Sequence, residues 1–155
     1  MDEWLGNLVR LWTHFQDRDD PARDFAEFYT DPVSVNGVAF TIEQLVGRAR
    51  ALNAGLSDLR SEVLQVVEGA RAVDGDGAVA LAFVMRGTHT GPYPSPVGTI
   101  APTGRSVAIR TIDVLTLTQG RVSAIWVNAD DLGLLVQLGA VVQGSPAADA
   151  RKESL

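Results

Sequence analysis

The sequence predicts an α+β protein in which three helices precede a run of antiparallel strands. Apolar residues recur at helical spacing up to about residue 55, whereas alternating and β-branched apolar runs dominate from residue 59 onward. Segments rich in Gly, Pro, Asp and Asn separate those runs. Because helical and strand patterns are segregated along the chain, we expect the helices on one face of a curved sheet.

The chain length indicates a single domain. A chain of 155 residues is long enough to bury roughly 70% of the surface that its unfolded form exposes. We predict one domain over residues 1–143. Residues 144–155 are small and polar, and are predicted to form a disordered tail.

The charge distribution argues against two classes of partner. The net charge is −6, and the 13 Lys and Arg residues are scattered without a basic run. From this charge distribution we expect that neither nucleic acid nor a membrane surface is a partner. The longest apolar run, residues 78–85, is too short to span a bilayer. The amino terminus lacks the pattern of a signal peptide, so we expect a cytoplasmic protein.

Few side chains could bind a transition metal. The chain has no cysteine, and its two histidines are His14 and His89. A thiolate site is therefore excluded, and a histidine-rich site is not expected. We predict a protein without a metal or a cofactor.

The first helix is predicted from aromatic and aliphatic residues that recur on one side of it. They are Trp4, Leu8, Leu11, Trp12 and Phe15.

The second helix should begin after Asp20, which has the form of an N-cap followed by proline at the first helical position. It should end before Asp31, because the residue before Pro32 disfavours the helical conformation.

A short strand and a third helix follow. Residues 33–38 are predicted to be a strand with a turn at Asn36-Gly37. Thr41 and Gln44 have the spacing of a capping box, which predicts a helix that begins there. Four long strand-forming runs come next, broken by residues 74–77, 91–104 and 119–120.

The last hairpin determines which side chains share a face. If residues 119–120 form a two-residue turn, Thr118 pairs with Arg121 and Asp113 pairs with Trp126. One face then carries an aromatic ring beside several hydrogen-bonding groups. Its members are Thr111, Asp113, Trp126, Asn128 and Asp130.

Asp113 and Asn128 would be diagonal neighbours on that face, with backbones roughly 7–8 Å apart. Both could then contact one ligand. The opposite face, with Ile112, Val114, Ile125 and Val127, suits contact with a second subunit.

An aspartate on an apolar wall is a candidate general base. Loss of hydration disfavours the charged form and raises the carboxyl pKa toward the range useful for proton transfer. Asp113 and Asp130 both fit this description. Asp113 could instead pair with an arginine or bind backbone groups, and Asp130 could cap a helix. We assign the N-cap of the helical segment 132–138 to Asp131.

The chain resembles the SnoaL-like polyketide cyclases of the nuclear-transport-factor-2-like superfamily from about Leu5 to Gly139. The resemblance lies in the order of elements and in several short motifs. They are Arg86-Gly87-Thr88-His89-Thr90-Gly91, Pro102-Thr103-Gly104-Arg105, Ile112-Asp113-Val114, Gly120-Arg121-Val122, Trp126, Asp130, Leu132-Gly133-Leu134-Leu135 and Gln137-Leu138-Gly139.

This resemblance implies a cone-shaped α+β fold with a deep apolar pocket, often in a homodimer. It also implies a cofactor-free aldol cyclisation in which an aspartate removes a proton next to a carbonyl. By position, Asp130 would be that aspartate, with Asp113 as second choice and His89 as a polarising group. The loop between Thr90 and Pro102 is longer than in the family, so the pocket rim should differ.

Two enzyme classes that share this fold provide alternatives. Epoxide hydrolases use an arginine and an aspartate on one face of a strand, whereas Arg110 and Asp113 are three residues apart and Asn128 replaces an expected carboxylate. This chemistry is the less favoured one. Ketosteroid isomerases use a tyrosine as a donor, a role open to Tyr29.

We therefore predict a small homodimeric protein that binds an apolar carbonyl compound and catalyses its cyclisation or isomerisation. A non-catalytic binding or assembly module of the same fold is the alternative. The substrate-binding residues would be Tyr29, Phe83, Met85, Thr111, Trp126 and Asn128.

Overall fold

A computed structural model describes residues 2–70 and 76–141. Three predicted segments lie outside the described residues, wholly or in part. They are the tail at 144–155, the last residues of the predicted domain and part of the break at 74–77. The described helices are α1 (Asp2–Thr13), α2 (Pro21–Phe28), α3 (Ile42–Gly55) and α4 (Asp131–Gln137), with a 3-10 turn at Phe15–Asp17.

The predicted helix caps are present. The side chain of Asp20 accepts a hydrogen bond from the backbone N–H of Arg23 at 3.1 Å, and proline occupies the first position of α2. The capping box of α3 is complete in both directions: Thr41 and Gln44 each bind the backbone of the other. These local interactions satisfy backbone N–H groups that have no partner within the helix.

Eight strands form two sheets in the part of the chain that the structure describes. The larger sheet has the order β2-β1-β8-β7-β4-β3, and β5 and β6 form a separate hairpin. The strands are β1 (Tyr29–Val35), β2 (Val38–Phe40), β3 (Leu56–Ala70), β4 (Gly77–His89), β5 (Tyr93–Ser95), β6 (Gly98–Ile100), β7 (Ser106–Thr118) and β8 (Arg121–Ala129).

The α+β class is confirmed, but the sheet is mixed. β1 pairs with β8 in parallel, whereas the sequence pattern predicts antiparallel strands only. Asn36 ties the two strands together, because its backbone N–H donates to the carbonyl of Ile125 at 2.8 Å and its side chain binds both backbone polar groups of Val127. The described fold is therefore four helices packed on an open, mixed sheet.

The core lies between the helices and one face of the sheet. Its fully buried side chains include Leu11 of α1, Phe25 of α2, Leu45 of α3, and Val33 and Val122 of the sheet. A second apolar cluster joins α4 to β3 and β7. It contains Leu56, Leu59, Val107, Ile109, Leu134 and Leu138.

A β-bulge at Ser123 shifts the last hairpin by one residue. Thr118 pairs with Arg121 as predicted, but Thr116 pairs with Ala124 and Asp113 pairs with Val127. The Ser123 hydroxyl binds the Thr118 side chain at 2.9 Å. Because strand side chains alternate, one extra residue moves every later side chain of β8 to the opposite face.

Candidate active site

The helices and the inner face of the sheet enclose a cavity of about 390 Å³. This volume lies within the range of small-molecule sites. Most of its wall is apolar, with contributions from α1, α3 and every central strand. Apolar lining residues include Leu8, Trp12, Leu45, Leu81, Phe83, Met85, Leu115 and Ile125.

Three polar side chains of the sheet face this apolar space: Tyr29 of β1, and Thr111 and Asp113 of β7. Thr111 and Asp113 are two residues apart on one strand, and so lie on the same face. Among the residues that the structure describes, Oγ1 of Thr111 and Oδ1 of Asp113 are buried without a hydrogen-bond partner. Unpaired polar atoms in an apolar cavity are costly unless a ligand or water binds them.

Burial raises the pKa of Asp113 to about 7. The cause is loss of hydration, which disfavours the carboxylate relative to the neutral acid. Near neutrality both forms are then populated. The group can therefore accept a proton and return it at similar cost, as a general acid–base catalyst must.

Tyr29 is oriented by a neighbour from α1. The indole Nε1 of Trp12 donates a hydrogen bond of 2.9 Å to the Tyr29 hydroxyl oxygen. Burial raises the pKa of Tyr29, and the negative charge of Asp113 raises it further, so the phenol stays protonated. Because its oxygen already accepts from Trp12, the Tyr29 hydroxyl is available as a donor to another group.

Several predicted binding residues lie in the cavity wall: Tyr29, Phe83, Met85, Thr111 and Asp113. Their contact with a substrate stays a prediction.

The predicted placement of Trp126 and Asn128 beside Asp113 is wrong. Both lie on the outer face of the sheet, and 61% of Trp126 is exposed. The bulge at Ser123 explains the error, since a bulge-free hairpin would have put both side chains on the inner face.

Asp130 lies outside the cavity wall and caps α4. Its Oδ1 accepts from the backbone N–H of Gly133 at 2.9 Å, and its Oδ2 lies 3.3 Å from Nη2 of Arg110. The assignment of this cap to Asp131 is wrong, because Asp131 is the first residue of the helix. Both carboxylate oxygens of Asp130 therefore have partners in the fold.

His89 is fully buried but does not line the cavity. Its Nδ1 accepts a hydrogen bond from the backbone N–H of Thr103 at 3.2 Å, which assigns the ring proton to Nε2. The His89 backbone also binds Gly104 and Arg105, so this residue closes the base of the loop that carries β5 and β6.

Sequence reasoning missed the helical side of the cavity, including Trp12 and Arg48. A signal for Arg48 was present. It lies three residues after Leu45 and four before Leu52, a spacing that places all three on one side of α3. The rim residues Tyr93 and Pro94 come from the separate hairpin, whose docking site no local pattern specifies.

An open mixed sheet covered by helices, with polar groups inside an apolar cavity, defines an α+β protein whose cavity has the size typical of small-molecule sites. The family model for SnoaL-like polyketide cyclases matches residues 6–138. The chain belongs to this family. No curated protein sequence matches it significantly.

Solved structures have the same fold at low sequence identity. TsrD from Streptomyces laurentii is 20% identical, with a TM-score of 0.70 over 90% of this chain and 95% of that one. A SnoaL-like polyketide cyclase from Agrobacterium tumefaciens is 21% identical, with a TM-score of 0.65 over 88% and 94%. A protein with a ketosteroid isomerase-like fold from Catenulispora acidiphila is 17% identical, with a TM-score of 0.62 over 93% and 98%.

The described residues contain neither a metal-binding cluster nor a membrane-spanning helix. Within 2–70 and 76–141, no three His, Cys, Asp or Glu side chains form a group that could hold a metal ion. No described helix has the length and apolarity needed to cross a membrane. The cytoplasmic location stays a prediction.

Proposed function

We propose that this protein is a cyclase or isomerase that removes a proton next to a carbonyl group of an apolar substrate, with Asp113 as the base. The observation that carries this proposal is an aspartate inside an apolar cavity with a carboxylate oxygen that has no partner among the described residues. Family membership supports the same reaction class.

The reaction would begin when the Asp113 carboxylate takes a proton from the carbon beside the carbonyl. The electron pair of that C–H bond forms the enolate, whose negative oxygen would accept hydrogen bonds from Tyr29 and Thr111. Donors held in place before charge develops are effective, because they need not reorganise during the reaction.

Two outcomes are open to the enolate. In cyclisation its carbon attacks a second carbonyl of the same molecule, a C–C bond forms, and the new alkoxide takes the proton from Asp113. In isomerisation Asp113 returns the proton to a different carbon. Both outcomes restore the carboxylate and need no redox partner.

Asp113 is a better candidate for the base than Asp130. The Asp130 carboxylate is bound to the first turn of α4 and to Arg110, outside the cavity wall. Arg110 and Asn128 are exposed, so epoxide hydrolysis gains no support from their positions.

The test is deuterium exchange at the acidic carbon of β-tetralone, a bicyclic ketone, followed by NMR in heavy water. We expect the protein to accelerate exchange, and Asp113→Asn to slow it by roughly 100-fold or more. Asp130→Asn is the matched control and should retain exchange. If Asp113→Asn exchanges as fast as the unaltered protein, Asp113 is not the base.

The same experiment distinguishes a non-catalytic binding module. Such a module would bind β-tetralone, detected as a change in Trp12 fluorescence, without accelerating exchange. The apolar wall is compatible with either function, because a binding site needs the same lining.

We also propose a homodimer through the outer face of the sheet. Ile112, Val114 and Trp126 are exposed there by 59%, 38% and 61%, and contiguous apolar surface of this kind commonly marks an interface. Ile125 and Val127, predicted for the same face, line the cavity instead because of the bulge at Ser123.

A further inference from the structure

The cavity wall contains two charged side chains, Asp113 and Arg48. Arg48 lies on α3, and Pro94 lies on the β5–β6 hairpin. These two are the exposed members of the wall, whereas the others are buried or half-buried. The opening of the cavity therefore lies between α3 and the hairpin, and Arg48 stands beside it.

The guanidinium of Arg48 is held in place without being neutralised. Its Cζ lies 4.2 Å from the centre of the Phe40 ring, which is a cation–π contact. Among the described residues, no carboxylate forms a salt bridge with Arg48, and its side chain donates no hydrogen bond. Its N–H groups remain available for an acceptor at the cavity mouth.

A carboxylate is a group that such an arginine binds well. A planar guanidinium and a planar carboxylate form two parallel N–H···O bonds. A neutral oxygen would gain less, because charge-assisted hydrogen bonds are stronger than neutral ones.

We propose that Arg48 binds the carboxylate of an otherwise apolar keto acid, whose ring or chain fills the cavity. This assignment rests on the proposed function and names its substrate class. The carboxylate at the mouth would fix which end of the molecule enters. The reacting carbonyl would then be directed toward Tyr29, Thr111 and Asp113.

Arg50 provides a matched control on the same helix. It is also exposed, and it also lies over an aromatic ring, with Cζ 5.8 Å from the centre of Phe15. It does not line the cavity. Replacing either arginine with methionine makes the net charge of −6 more negative by one unit, so any difference between the variants is local.

The experiment measures binding of β-naphthylacetate and β-naphthylacetamide by isothermal titration calorimetry. The two probes have the same shape and differ in charge. We expect the unaltered protein to prefer the carboxylate, and Arg48→Met to lower carboxylate affinity about fivefold, as for a partly solvated ion pair. Arg48→Met should leave amide affinity unchanged, and Arg50→Met should change neither.

Three results would overturn the assignment: no preference for the carboxylate in the unaltered protein, equal losses for both probes in Arg48→Met, or the same loss in Arg50→Met. Any of these would leave Asp113 untouched as the proposed base, since β-tetralone carries no carboxylate for Arg48 to bind. If neither probe binds at all, the proposed cavity function fails together with the assignment of Arg48.

Discussion

Trp12 and Tyr29 form a hydrogen-bonded pair in the cavity wall, with 2.9 Å between the indole Nε1 and the tyrosine oxygen. They come from α1 and β1, and both rings also contact Phe25. Trp12 thereby orients a buried phenol whose pKa is raised by burial. The tyrosine is positioned as a donor rather than as a base.

Loss of this donor should slow the proposed reaction. Tyr29→Phe removes the hydroxyl and keeps the ring, so we expect deuterium exchange to fall by roughly 100-fold while the fold persists. Trp12→Phe should have a smaller effect, because the hydroxyl remains but loses its orientation. Exchange rates and melting temperatures of both variants test this. A Tyr29→Phe protein with normal exchange would remove Tyr29 from the mechanism.

Asp113 should make stability depend on pH. Its pKa is about 7 in the folded protein against an ordinary value of 3.8, so the folded state binds more protons than the unfolded state between these values. The free energy of unfolding should therefore fall as pH rises from about 4 to 7, then level off. Asp113→Asn removes this dependence.

The measurement is chemical denaturation of the unaltered protein and Asp113→Asn at about pH 4 and pH 8. From pH 4 to pH 8 we expect the free energy of unfolding to fall by roughly 4 kcal/mol more in the unaltered protein than in Asp113→Asn. Equal pH dependence in both proteins would mean that Asp113 titrates normally.

The rate of deuterium exchange should also follow the Asp113 carboxylate. The base is active only when deprotonated, so the rate should increase with pH and reach a plateau above about 7. A profile that is already flat from about pH 5 would point to a base with an ordinary carboxyl pKa.

Asp130 should contribute to stability rather than to catalysis. Asp130→Ala removes the side-chain cap of α4 and should lower the free energy of unfolding by about 1 kcal/mol. Asp131→Ala is the control, because Asp131 does not cap the helix, and it should cost much less. A stable Asp130→Ala variant that loses exchange would restore Asp130 as a catalytic candidate.

The outer face of the sheet should mediate self-association. Trp126→Lys places a charge in the exposed apolar surface and should convert a dimer to a monomer in analytical ultracentrifugation. The control is Val97→Lys, because Val97 lies in the β5–β6 hairpin with 66% exposure. This variant should remain a dimer. A monomeric unaltered protein would contradict the homodimer.

Local chemistry made much of the fold predictable. Three local features act within a few residues, and each is present as predicted. They are the proline after Asp20, the capping box of Thr41 and Gln44, and the turn at Asn36-Gly37. The segregation of helical and strand patterns likewise predicted the α+β class. It could not predict that β1 lies parallel to β8, because that pairing joins segments about ninety residues apart.

The site depended on a detail that only the tertiary structure decided. The turn at residues 119–120 sets the register at Thr118, yet one extra residue at Ser123 exchanges the two faces of β8 beyond it. Asp113 of β7 faces the apolar cavity, whereas the bulge turns Trp126 and Asn128 of β8 outward. The alternation of side chains along a strand determines which residues share a face. Which of the two faces is buried depends on packing against the whole core, and the residues of the hairpin alone do not determine it.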